Sequence, residues 1–191
     1  KRSGVIDSMS QGNLKEGAEL FAARMDLGAY QEAAKIKADY SLPDDMLQES
    51  VRRAYDANIK KGEYSIAADL AKRYSLPEDL RLDAAMRSFQ RKIDSEFYLA
   101  AAEYARDFGL PESMVREAAS YAYENSMSHS LFKNAAEIAD QFQLPASMLR
   151  EAATKSYEQY MQTGMYRKAL KIAEKYGLAE DLVAAARKKQ S

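Results

Sequence analysis

Gly62-Glu63-Tyr64-Ser65-Ile66-Ala67-Ala68-Asp69-Leu70-Ala71-Lys72-Arg73-Tyr74-Ser75-Leu76-Pro77 sets the architecture of the chain. Within it Tyr64, Ala67, Ala68, Leu70, Ala71 and Tyr74 recur at a period near 3.6, the mark of a short amphipathic helix. Upstream, Met46, Leu47, Ser50, Val51, Ala54, Tyr55 and Ile59 form a second, longer stripe that stops at Gly62. A glycine just past a helix end takes a left-handed conformation without steric cost. Pro77 is expected at the first position of the next helix, where its missing N–H costs nothing. Acidic residues behind each proline (Asp44, Asp45, Glu78, Asp79, Glu112) suit the positive end of a helix dipole. The stretch therefore reads as the second half of a helical hairpin.

The same frame returns along the whole chain. Pro43, Pro77, Pro111 and Pro145 are the only prolines, and successive ones are 34 residues apart, with Ala179 one period further on. Leucine precedes every one of them: Leu42, Leu76, Leu110, Leu144 and Leu178. The repeats are 9–42, 43–76, 77–110, 111–144 and 145–178, with a terminal helix over about 180–190. Three columns are aromatic in all five: Phe21, Tyr55, Phe89, Tyr123 and Tyr157; Tyr30, Tyr64, Tyr98, Phe132 and Tyr166; Tyr40, Tyr74, Phe108, Phe142 and Tyr176. Ala33, Ala67, Ala101, Ala135 and Ala169 form a fourth, where two helices are expected to cross too closely for a larger side chain. The turn position holds Gly28, Gly62 and Gly164, with Glu96 and Ser130 in the other two repeats.

One hairpin of about four and three helical turns cannot bury both stripes, but stacked hairpins bury them against their neighbours. The expected fold is all-α, a right-handed α-solenoid of five 34-residue hairpins in a single repeat domain over 1–191. Residues 1–8 read as the stub of a preceding repeat, with Ile6 in the third aromatic column. Met46, Leu80, Met114, Met148 and Leu182 share a packing column, and Tyr104 takes a core position. Phe97 and Tyr160, near the turns, are expected to pack on the next repeat, while Tyr121 is expected to be exposed.

The repeat length and the run Gly62-Glu63-Tyr64-Ser65-Ile66-Ala67, matched by Gly28-Ala29-Tyr30-Gln31-Glu32-Ala33 and Gly164-Met165-Tyr166-Arg167-Lys168-Ala169, resemble the tetratricopeptide repeat family. The first-helix tryptophan signature of that family is missing. The fifteen residues from Gly62 to Pro77 are also fewer than its glycine-to-proline distance. The resemblance implies a hairpin architecture and a role in holding other macromolecules, and it transfers no binding residue.

Several function classes find no support in the residues. With 28 basic and 29 acidic side chains, the net charge of −1 creates no field that recruits nucleic acid or anionic membrane. No apolar run approaches a membrane span. The absence of cysteine excludes disulfides and thiolate metal sites and fits a cytoplasmic protein. His129 is the only histidine and lies in a turn between Ser128 and Ser130, which is not a triad. No zinc ligand set, calcium loop or phosphate-cradling glycine loop is present, so the expectation is no catalysis, no metal and no cofactor.

Position eleven of successive repeats holds Arg53, Arg87, Tyr121 and Lys155, projecting from the outer side of the longer helices. Arg116 and Arg150 come from a neighbouring column. One reading is a groove for an acidic peptide, or for a nucleic-acid backbone with Tyr121 stacked on a base. The other is a solvated ladder, because Glu49, Asp83 and Glu151 lie four residues before Arg53, Arg87 and Lys155. The expected function is a scaffold for a protein or peptide. Single-stranded nucleic-acid binding, a module that self-associates through its end helices, and a consensus-derived repeat without a natural partner are the alternatives.

Overall fold

The computed structural model describes the backbone of residues 2–190 and the side chains of residues 12–190. Among the described residues there are eleven α-helices and no strand. They are α1 (Arg2–Asp26), α2 (Tyr30–Asp39), α3 (Gln48–Lys61), α4 (Tyr64–Arg73), α5 (Glu78–Asp94), α6 (Tyr98–Asp107), α7 (Glu112–Ser128), α8 (Phe132–Gln141), α9 (Ala146–Gln162), α10 (Tyr166–Lys175) and α11 (Glu180–Gln190). Long and short helices alternate, with α5, α7 and α9 of 17 residues and all five short ones, α2 to α10, of 10. The chain forms two compact units, Lys1–Ser88 and Phe89–Ser191, with the sequence boundary inside α5. In the N-terminal unit α1 packs on α2 and α3, and α3 on α4. In the C-terminal unit each helix from α6 to α11 packs on the next in chain order. This is a solenoid-type stack of helical hairpins, an all-α helical repeat.

The sequence columns explain the cores. Ala33 and Ala67 in one unit, and Ala101, Ala135 and Ala169 in the other, are fully buried. The first aromatic column is buried throughout, and the second, at the start of each short helix, is half-buried. Leucine before proline has a specific job. The N–H groups of Leu42, Leu76, Leu110, Leu144 and Leu178 reach back five residues to Lys37, Ala71, Ala105, Ala139 and Ala173 carbonyls at 2.8–3.0 Å. This closes the short helix in a Schellman-type turn, whose apolar residue folds back onto the helix it ends. The leucine side chains of the first four turns are accordingly buried.

Such turns need a left-handed residue, and the structure reveals a second column of them. Gly28, Gly62, Glu96, Ser130 and Gly164 occupy that region after the long helices; Ser41, Ser75, Gly109, Gln143 and Gly177 occupy it after the short ones. The left-handed backbone costs an L-residue roughly 1–2 kcal/mol. Ser75→Gly and Gln143→Gly should therefore each raise stability by about 1 kcal/mol in urea denaturation, offset partly by glycine's entropy. Asp69→Gly, at an exposed position in the interior of α4, should lower it by a similar amount.

Stacked repeats are also tied by a recurring hydrogen bond. Tyr55, Tyr123 and Tyr157 donate their hydroxyls to the carbonyls of Leu80, Met148 and Leu182, each 25 residues on, at 2.9, 3.0 and 2.8 Å. Burial, with Glu151 adding to it, pushes the Tyr123 hydroxyl from 10.0 up to about 12. A raised folded-state value means that stability is intact below pH 10 and falls as pH rises from 10 towards 12. Tyr123→Phe should cost about 1 kcal/mol at neutral pH. It should also lose less stability than the parent between pH 9 and 11.5, as read by urea denaturation.

Four expectations need correction. Pro111 and Pro145 are N-cap residues, one position before the helix, with extended ψ of 137° and 136°, so it is their carbonyls that start the helical bonding. Residues 1–8 do not end in a turn, since α1 runs unbroken through residue 9, where no leucine–proline pair interrupts it; the Ile6 side chain lies outside the described residues. Met46 is exposed because it ends a 3₁₀ turn, Asp44–Met46, ahead of α3, while Leu80, Met114, Met148 and Leu182 are half-buried. Tyr104 is half-buried rather than core, with its ring stacked on Phe108 at 4.3 Å.

Candidate functional site

Position eleven is occupied in its own structure. Arg53 pairs with Glu49 at 3.1 Å and Asp26 at 3.5 Å, Arg87 with Asp83 at 3.0 Å and Lys155 with Glu151 at 2.9 Å. Tyr121 donates to Glu117 at 3.2 Å, which raises its hydroxyl above the usual value, and it is exposed as expected. The second aromatic column of the preceding repeat supplies the other contact. Arg87 lies over Tyr64, Tyr121 against Tyr98 and Lys155 over Phe132, at 5.8, 5.4 and 5.8 Å between centres. The ion pairs of Arg87 and Lys155 thus run along their own long helices, while the ring contacts of Arg87, Tyr121 and Lys155 fasten those helices to the short helix before them; Arg53 reaches back to α1 through Asp26. Arg116 likewise pairs with Glu112 at 3.1 Å. Arg150 and Lys155 share a trough of about 640 Å³ lined by α9 residues alone.

A more enclosed cavity lies in the C-terminal unit on the other kind of helix. A cleft of about 590 Å³ is walled by the start of α6, the end of α7 and the length of α8. Carboxylates enter it from Glu96, Glu103 and Glu137, and amides from Asn125, Asn134 and Gln141. Tyr98, Leu99 and Ile138 form its apolar wall, and Phe97 stands at its edge, 65% exposed. Gln141 Nε2 donates to Glu103 Oε1 at 3.4 Å, linking α8 to α6. Glu137 accepts from Lys133 at 3.0 Å, raising the lysine above its ordinary value.

Phe97 therefore does not pack on the next repeat. It is the N-cap of α6, a position that turns outward, and Leu131 and Met165 are exposed at the N-caps of α8 and α10. Tyr160 lies against the short helix of its own repeat instead, with Lys168 of α10 5.7 Å from its ring centre. The signal for this surface was present in the sequence, because an apolar residue held at a turn position through three repeats has no core to fill.

The remaining titratable candidates lack a chemical constellation. His129 caps α7, its Nδ1 2.8 Å from the Asn125 carbonyl and 3.2 Å from Ser128 Oγ. Among the described residues no three His, Cys, Asp or Glu side chains group so as to hold a metal ion, and no helix is long and apolar enough to cross a membrane. Comparison with protein-family models, curated proteins and solved structures finds no match.

Proposed function

We propose that the protein is a non-enzymatic scaffold that holds a peptide segment of a partner protein, and that the cleft between α6, α7 and α8 is where it does so. The observation that carries this reading is the cleft's composition, with exposed Phe97 and Leu99 beside three carboxylates and three amides. Concave sites with an apolar wall and a few convergent polar groups are the usual form of a binding pocket. An exposed phenylalanine in a water-facing turn gains from being covered. The repeat length and the Gly-x-Tyr-x-x-Ala run support placing the hairpins near the tetratricopeptide type, whose members hold other macromolecules. The absence of cysteine supports a cytoplasmic setting.

Display selection of a random peptide library against the intact chain tests the reading. Binders should be recovered that lose binding to a Phe97→Asp, Leu99→Asp double variant whose circular dichroism matches the parent's. Binders that ignore that variant but fail on Arg150→Glu, Lys155→Glu would move the site to the α9 trough and overturn the assignment.

A further inference from the structure

The cleft at α6 has two counterparts in register with the repeat. A second, of about 270 Å³, is lined by Lys133, Tyr160, Lys168, Lys171 and Ile172. A third, of about 400 Å³, joins the turn from Gly164 to Lys168 with Lys189 and Gln190 of α11. Corresponding positions change their chemistry along the series. Leu99 becomes Lys133 and then Arg167; Ala100 becomes Asn134 and then Lys168; Glu103 becomes Glu137 and then Lys171. No lysine or arginine lines the first cleft, and no aspartate or glutamate lines the second or third. Phe97, Leu131 and Met165 hold the same position beside this series, 65%, 52% and 44% exposed. A whole-chain charge of −1 conceals this gradient.

The cations at the basic end differ from those on the long helices. Arg53, Arg87, Arg116 and Lys155 each have a carboxylate within 3.1 Å. Arg167, Lys171 and Lys189 have no carboxylate partner among the described residues, and Lys168 has only the Tyr160 ring. At the acidic end Glu96 is likewise without a cation. Groups left unpaired at opposite ends of one apolar row are arranged for an occupant of opposite polarity, which such a field also orients.

We infer that the C-terminal unit takes one amphipathic peptide segment laid along the three clefts, its basic end at α6 and α8, its acidic end at α10 and α11, and its apolar edge on Phe97, Leu131 and Met165. Side chains of α6 and α8 meet across the first cleft, so consecutive short helices stand roughly 10 Å apart, and two repeat steps span about 20 Å, or about fourteen helical residues at 1.5 Å each. This inference rests on the peptide-scaffold reading and adds the charge order of the segment.

Three synthetic peptides of about that length test it by fluorescence anisotropy: one lysine-rich at one end and glutamate-rich at the other, one lysine-rich throughout and one glutamate-rich throughout, all with the same leucine positions. The graded peptide should bind about tenfold more tightly than either uniform one. Glu103→Lys, Glu137→Lys should weaken the graded peptide and strengthen the glutamate-rich one. A spin label on its lysine-rich end should broaden amide signals of α6 and not those of α10. Equal binding of all three peptides, an unchanged preference in the variant, or a single-stranded oligothymidine binding more tightly than the graded peptide would overturn the inference. The library selection separates the two levels. Binders that need Phe97 and Leu99 but carry no charge order remove the gradient and leave the scaffold, whereas the absence of any such binder removes the scaffold itself.

Discussion

Ala101→Phe should cost the C-terminal unit about 3 kcal/mol or more and lower its melting temperature by about 10 °C. Ala101 is fully buried in α6 with Ala102 and Ala105, so three small side chains bring that helix close to its neighbours. α6 packs on α7. A phenylalanine there has no cavity to enter, and overpacking forces off-rotamer side chains or separates the helices. Leu99→Phe is the matched control, because Leu99 is exposed two positions earlier and a larger side chain there meets solvent. It should leave the melting curve within about 0.5 kcal/mol of the parent's. A parent-like curve for Ala101→Phe would show that the alanine column does not mark the helix crossing.

Phe21→Ala should remove about 3–5 kcal/mol from the N-terminal unit. The Phe21 ring is fully buried and meets Tyr74 edge to face, with centroids 5.7 Å apart. Truncation removes the transfer free energy of the ring, leaves a cavity under α1, and loses an aromatic contact worth about 0.5–1.5 kcal/mol. Leu20→Ala, at a neighbouring exposed position, should change stability by less than about 1 kcal/mol. Urea denaturation of the two variants measures the difference, and equal losses would contradict the packing of α1 described above.

Much of the fold was legible because repetition turns one sequence into five readings of the same local rule. Leu76-Pro77 alone is a turn, whereas four copies at one spacing, continued by Leu178-Ala179, give the hairpin length and the boundaries of both helices. The alanine and first aromatic columns identified the core for the same reason. Features that depend on backbone sign rather than side-chain type stayed hidden. Ser41, Ser75 and Gln143 adopt the left-handed conformation without being glycine, so their column carries no compositional mark. The tyrosine-to-carbonyl bonds were equally invisible, since Tyr55, Tyr123 and Tyr157 share their column with Phe21 and Phe89.

The site was legible only in part. Arg53, Arg87, Tyr121 and Lys155 share one position in the repeat, and the carboxylates four residues before Arg53, Arg87 and Lys155 were visible in the sequence. Their ring contacts were not, because they join residues 23 positions apart whose meeting depends on how one hairpin sits on the next. The cleft at α6 escaped for the same reason. Glu96, Glu103 and Glu137 come from two repeats, and only stacking brings them to one cavity. Net charge was silent on this point, since a balanced total is compatible with opposite charge at two ends of one surface.

The most direct test of the binding account is amide chemical-shift mapping of the intact, isotope-labelled chain during titration with a peptide recovered by the library selection. The account predicts saturable shifts in the first turn of α6, at Asn125 and Ser126 of α7, and along α8 from Asn134 to Gln141. The face of α9 that carries Arg150 and Lys155 should remain unchanged. Shifts confined to that α9 face, or spread without saturation over all helices, would contradict it.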